Sequence, residues 1–155
     1  MRLRQFNRLP QQEVEDLLRR CLPVERWVTT VAAARPFRQL GDLFETAKLT
    51  ASPLTPAELE AALAHHQPQP LLSPRSRRSE TPAEIRVRDQ LTAGAQHYQQ
   101  RFGRPFLTHV VGRLPAQTLV HLWERLSHDP DTEDQVIADQ LHQIALGRLA
   151  ELVTA

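Results

Sequence analysis

The chain has 155 residues, 19 of them basic and 18 acidic, for a formal charge of +1. That length suffices for one buried core, and the charge balance argues for neither nucleic acid nor a membrane surface as partner. A single cysteine, Cys21, excludes an internal disulfide framework and fits a reducing compartment.

The stretch MRLRQFNRLP lacks the apolar core of a secretory signal, and no apolar run approaches the ~20 residues of a membrane span. The expectation is a cytoplasmic protein with one domain over residues 1–155. After Pro10, QQEVEDLLRRCL places Val14, Leu17, Leu18 and Cys21 at i, i+3, i+4 and i+7, which predicts a first helix. Pro23 opens a second over VERWVTTVAAA, ending before Pro36, and QLGDLFETAKL supplies a third. The fourth begins on a capping box, with Thr55 as N-cap, Pro56 at N1 and Glu58 at N3. Its apolar face runs Leu59, Ala62, Leu63 and then His66. Prolines and serines in QPQPLLSPRSRRSET predict a loop, a length that in compact domains is usually functional or mobile. Arg75, Arg77 and Arg78 on it read as a solvated charge run.

Thr81, Pro82 and Glu84 repeat the starting device for a helix to about Arg101, closed by Phe102 and Gly103. RPFLTHVVGR is the one segment with strand-like residues, either a short strand or an extended buried connection. Pro115 opens a helix carrying Leu119, Leu122, Trp123 and Leu126, and Asp129-Pro130 starts a final helix to about Val153. The fold class expected is all-α, a single-domain bundle of about seven or eight helices.

Few residues carry chemistry. His66 continues the stripe of Leu59, Ala62 and Leu63, while His65 sits about 100° around the helix, nearer solvent. At a helix C-terminus the dipole favours imidazolium. His66 can be read as a polar cap on a carbonyl or as a half-buried proton-exchanging group; spacing alone favours the cap. In the final helix Ile137, Leu141, Ile144, Arg148 and Leu152 share one face. An arginine there must snorkel, pair with an acid or await an anionic ligand. Glu84 has the capping role after Thr81, whereas Glu80 has none visible in the sequence. No phosphate loop, CxxC, HExxH or nucleophile elbow occurs, and the histidines lack metal-ligand spacing, so no metal is expected.

FNRLP, RCLPVERWVTTVAAARPF, the helix into HH, YQQRFGRPF and IALGRLAEL follow one another along nearly the whole chain. In that order they resemble the decarboxylases of 2-oxo-4-hydroxy-4-carboxy-5-ureidoimidazoline (OHCU), an enzyme family of urate breakdown. The family pattern reads roughly FN-x-L-P, C-x-x-x-x-W with A-x-x-RPF, HPRIG, S-x-x-EQ, Y-x-x-x-FG-x-x-F and I-x-x-LRL. ARPF and RFGRPF are its most specific matches here. The resemblance implies an all-helical homodimer that needs no cofactor and converts OHCU into (S)-allantoin and carbon dioxide. It places the catalytic histidine on His66, followed here by QPQP instead of Pro-Arg-Ile-Gly, and the arginine of LRL on Arg148. The glutamate that binds the ureido group belongs to a motif absent from this shortened loop. Ser76, Glu80 and Glu84 are its candidates by order along the chain. The asparagine usual before YxxxFG is replaced in GAQHY.

The implied chemistry is economical. The ring itself accepts the electrons left by carbon dioxide, so the protein must orient it, exclude water and manage protons. Two alternatives stand beside it, a family member with altered or lost activity and a helical interaction module on the same scaffold. The decarboxylase reading predicts a small enclosed polar pocket joining His66 and Arg148, and the interaction reading a filled pocket with an exposed apolar patch.

Overall fold

The structure, a computed structural model, describes residues 1–66, 80–109 and 114–155. Eight helices stand among them: α1 (Leu3–Arg8), α2 (Gln11–Cys21), α3 (Glu25–Ala33), α4 (Leu40–Ala51), α5 (Pro56–His65), α6 (Pro82–Phe102), α7 (Pro115–Leu126) and α8 (Pro130–Leu152). The described residues form no strand beyond an isolated parallel bridge between Arg2 and Thr154. The all-α expectation is met, with α1 as an addition. None of the helices is long and apolar enough to cross a membrane. The helices fall into two compact units. One comprises Met1–His66 and Ala138–Ala155; the other is the intervening stretch, ending at Ile137.

In the first unit the motifs FNRLP and ARPF work on each other. Asn7 grips the backbone of Phe37 from both sides, donating Nδ2 to its carbonyl at 2.8 Å and accepting its N–H at 3.0 Å. Arg35 donates to the carbonyls of Ala32 (3.0 Å), Phe6 (3.3 Å) and Leu9 (2.9 Å), satisfying acceptors left over at the ends of α3 and α1. Trp27 is fully buried and its indole N–H donates to the Ala47 carbonyl at 2.8 Å, joining α3 to α4. The predicted face of α2 is buried at Val14, Leu18 and Cys21.

The second unit is organised by a buried charge. Arg125 and Glu133 form an ion pair with both side chains at 0% exposure, Nη2 to Oε1 at 2.5 Å and Nε to Oε1 at 2.7 Å. The Tyr98 hydroxyl donates to the same Oε1 at 2.5 Å, and His128 Nδ1 lies 3.1 Å from Oε2. Burial, then the bond to Glu133, pushes the Tyr98 phenol well above its usual range, so it remains a donor. Arg125 also donates to the Leu107 carbonyl and lies 4.6 Å from the Phe106 ring centroid. This arrangement corrects the face expected for α7. Thr118, Leu119, Leu122 and Arg125 are buried, and Trp123 is 52% exposed. The fully paired guanidinium takes the inward position that hydrophobicity assigned to the indole.

Gly94 lets α6 meet α7 closely, since a Cβ there would sit 2.5 Å from Leu122 Cδ2. Gly103 ends α6 with φ 70°, a conformation that favours glycine. The strand-like segment carries no regular element over 105–109, where Leu107 and Thr108 are buried. Its remaining residues, 110–113, and the predicted loop over 67–79 lie outside the described residues.

Candidate functional site

The first unit builds its site from the N-terminus of α5. Thr55 Oγ1 accepts the Glu58 N–H at 3.2 Å, and Glu58 Oε2 accepts the Thr55 N–H at 3.0 Å, the capping box read from the sequence. The Glu58 carboxylate is also held by the fork of Arg26, Nε at 2.9 Å and Nη2 at 3.1 Å. Arg26 continues to the carbonyls of Thr50 and Pro53, so α3 fixes where α5 begins and where it delivers its two histidines.

Those histidines part ways at the helix end. His65 is exposed and its Nδ1 lies 2.9 Å from the Ala61 carbonyl of its own helix. His66 is the C-cap, with extended backbone (φ −79°, ψ 121°) and its N–H on the Leu63 carbonyl at 3.2 Å. Its ring is half-buried, and Nε2 is shielded from solvent with no hydrogen-bond partner among the described residues. Burial, and after it the charge of Arg148, lowers the His66 pKa below the ordinary imidazole value. The expectation that the helix dipole favours imidazolium is therefore reversed. The dipole acts through partial charges that fade within the last turn, and desolvation plus a full guanidinium charge outweigh it.

Arg148 neither runs out into solvent nor pairs with an acid among the described residues. Its Nη1 makes two long bonds to the carbonyls of Arg20 (3.3 Å) and Cys21 (3.4 Å), where α2 ends and its dipole is negative. His66 and Arg148 line one cleft of about 590 Å³. Leu22, Ala62, Leu141 and Ile144 contribute apolar lining, and Asp16, Arg19, Arg20 and Glu25 add charged groups to it. The cleft joins the two residues as expected, but it is larger than a small enclosed pocket and open-sided, because part of its lining is surface charge. Cys21 also lines it; burial pushes the thiol up to about 11 and Sγ donates to the Leu17 carbonyl at 3.5 Å. At neutral pH that sulfur is not a thiolate and offers no nucleophile.

The other sequence candidates lie in the second unit. Glu80 accepts a bond from Arg88 Nη1 at 2.6 Å, a partner eight positions away that no helical spacing pointed to. Glu84 accepts the Thr81 N–H at 2.6 Å and donates its own to Thr81 Oγ1 at 3.3 Å, bonds that lower its pKa. Both line another cavity, of about 290 Å³, with Val87 and Leu114. Ser76 lies outside the described residues. Among those residues, no group of three histidine, cysteine or acidic side chains is placed to hold a metal ion.

Sequence reasoning missed the ion-paired chain beside the cleft. Arg19 donates Nη1 to Asp16 Oδ1 at 2.7 Å, and Nε and Nη2 to the two oxygens of Glu25 at 2.6 and 3.0 Å. Asp16 and Arg19 sit at i, i+3, a visible signal, but Glu25 lies across the break at Pro23.

Comparison with known proteins bears on family and fold. The sequence model of the OHCU decarboxylase family matches residues 7–150. The uric acid degradation bifunctional protein PucL of Bacillus subtilis (strain 168) is 29% identical over 165 aligned positions, which cover 96% of this chain and 32% of that protein. The chain thus spans about a third of the length of that curated relative. A crystal structure of (S)-allantoin synthase superposes with a TM-score of 0.73 at 19% identity, covering 99% of this chain and 54% of the other. A crystal structure of OHCU decarboxylase in the presence of (S)-allantoin gives a TM-score of 0.68 at 20% identity, covering 88% and 96%. At these identities the two structures speak for the fold.

Proposed function

This chain belongs to the OHCU decarboxylase family, and from that premise we propose that it decarboxylates OHCU to (S)-allantoin in urate degradation, without a cofactor. The observation that carries the reading is the placement of His66 and Arg148 in one cleft, the imidazole with an unspent Nε2 and the guanidinium with no carboxylate partner among the described residues.

The substrate bears carboxylate and hydroxyl on one ring carbon and the ureido group on the next. Loss of carbon dioxide breaks the bond between ring carbon and carboxylate. The electron pair moves into the ring toward the ureido-bearing carbon and the adjacent nitrogen, which serve as the electron sink. The ring nitrogen takes up a proton from solvent, a second proton reaches one face of that carbon, and the hydroxyl gives up its own to become the ring carbonyl. Arg148 holds the carboxylate and developing oxygen charge with its planar fork. His66, neutral at physiological pH, is the acid/base group beside the hydroxyl and carboxylate. By order along the chain Glu80 and Glu84 are candidates for accepting ureido N–H groups, but they line another cavity and already accept from Arg88 and the Thr81 N–H. Leu22, Ala62, Leu141 and Ile144 give the ring an apolar surface to lie against.

A homodimer in the cytoplasm is the proposed setting. On α7, Val120 and Trp123 lie one turn apart at 59% and 52% exposure, a ready apolar contact for a second copy. The buried free thiol of Cys21 suits a reducing compartment.

The test is to generate the intermediate from urate with urate oxidase and follow (S)-allantoin by circular dichroism, with and without the protein. Faster appearance of an optically active product supports the reading. An unchanged rate with racemic product overturns it.

A further inference from the structure

We propose that Asp16 and Glu25, held by Arg19 beside the cleft that contains His66 and Arg148, receive the ureido end of the substrate and so set its orientation. This rests on the decarboxylase reading and adds substrate-binding residues to it.

The proposed substrate has two unlike ends, a carboxylate that needs donors and a ureido group whose N–H bonds need acceptors. A site disfavours the reversed pose when each end meets its complement, because reversal sets the substrate carboxylate against like charges. The cleft has this asymmetry. Arg148 and His66 supply cationic and donor character, and Asp16 and Glu25 are the carboxylates that line it among the described residues.

The two carboxylates are preorganised. Arg19 grips both oxygens of Glu25 and one of Asp16, spending its fork on them. Asp16, Arg19 and Glu25 together carry one net negative charge, and Arg20 also lines the cleft. Each Glu25 oxygen bound by Arg19 retains a second lone pair. Asp16 Oδ1 also accepts from Gln12 Nε2 at 3.3 Å, so its acceptor for a ligand is Oδ2, which has no bond to Arg19. The bond from Arg19 also lowers the Glu25 pKa, which keeps that carboxylate ionised at the pH of catalysis. Arg19 is accordingly a positioning residue here, fixing acceptors rather than contacting the anion.

The stability contribution of such exposed pairs is small, so a purely structural role and a binding role give different results. The experiment is steady-state kinetics on the enzymatically generated intermediate with the full chain, comparing wild type with Glu25→Gln, Asp16→Asn, Glu25→Asp and Glu80→Gln. The expected result is a KM raised about tenfold in Glu25→Gln or Asp16→Asn, as for loss of a charged acceptor. We further expect kcat to change much less, thermal midpoints to stay near wild type, and Glu25→Asp to recover part of the loss. Wild-type KM in both neutral variants, while wild type is active, overturns this proposal and leaves the decarboxylase reading standing. A KM effect confined to Glu80→Gln does the same and moves the ureido contact to Glu80. A wild-type protein that does not accelerate the reaction overturns both.

Discussion

Arg148 and His66 share a cleft in which the histidine's charged form is disfavoured twice, first by burial and then by the guanidinium. The imidazole should therefore titrate below the ordinary value of about 6.5, and remain a neutral base through physiological pH. Histidine titration by NMR is the check. Arg148→Met removes the like charge and should raise the His66 pKa toward the ordinary value, while Arg148→Lys should leave it low. A wild-type pKa at or above the ordinary value would contradict the assignment.

The two adjacent histidines should separate in activity. His66→Asn should cost roughly 10²–10⁴-fold in kcat, the usual contribution of a positioned acid/base. His65, exposed and bonded to its own helix, should tolerate the same change. Equal losses would show that neither helix face nor motif had found the catalytic group.

Arg148→Met should fold, because the side chain lies at the edge of the buried stripe and its two bonds are long. It should still abolish activity. Arg148→Lys should lose much of it, since a point charge does not replace two parallel donors. Wild-type turnover in Arg148→Met would remove the arginine from the mechanism.

The Arg125–Glu133 pair yields a stability prediction independent of function. Arg125→Met leaves Glu133 buried without its cation and should cost about 3–5 kcal/mol in urea unfolding. Replacing both residues with apolar side chains of similar volume should recover most of that loss. Additive losses would mean that packing, not charge, sets the cost.

Stability should also fall with acid in a defined window. His66 and His142 both titrate below the ordinary imidazole value, in each case first through burial. Between the folded and unfolded pKa values the unfolded chain binds more protons. Their contribution is thus present above about 6.5 and lost as pH falls through the lower folded values. Urea midpoints at pH 7 and pH 5 should show the decline, and replacing both histidines with Asn should flatten it.

Much of this architecture was legible because its signals are local. The capping boxes at Thr55 and Thr81 announced α5 and α6, and apolar spacing announced α2 and α8. α1 escaped because six residues give too little periodicity; Leu3 and Phe6 are its whole buried face. His66 and Arg148 were visible as polar residues interrupting apolar stripes. Arg125 was not, because pairing, which only the fold reveals, decides whether a charge can be buried. Glu80 looked idle for the same reason, since Arg88 comes to it through the fold and not through helical spacing.

The raised pKa of Cys21 has a practical use. With its thiol protonated at neutral pH and buried, the one cysteine of the sequence should react sluggishly with alkylating reagents. The native protein is then nearly blank toward maleimide dyes. A cysteine introduced by His65→Cys, at the exposed position that lines the same cleft, would take a fluorophore selectively and report ligand arrival by its emission.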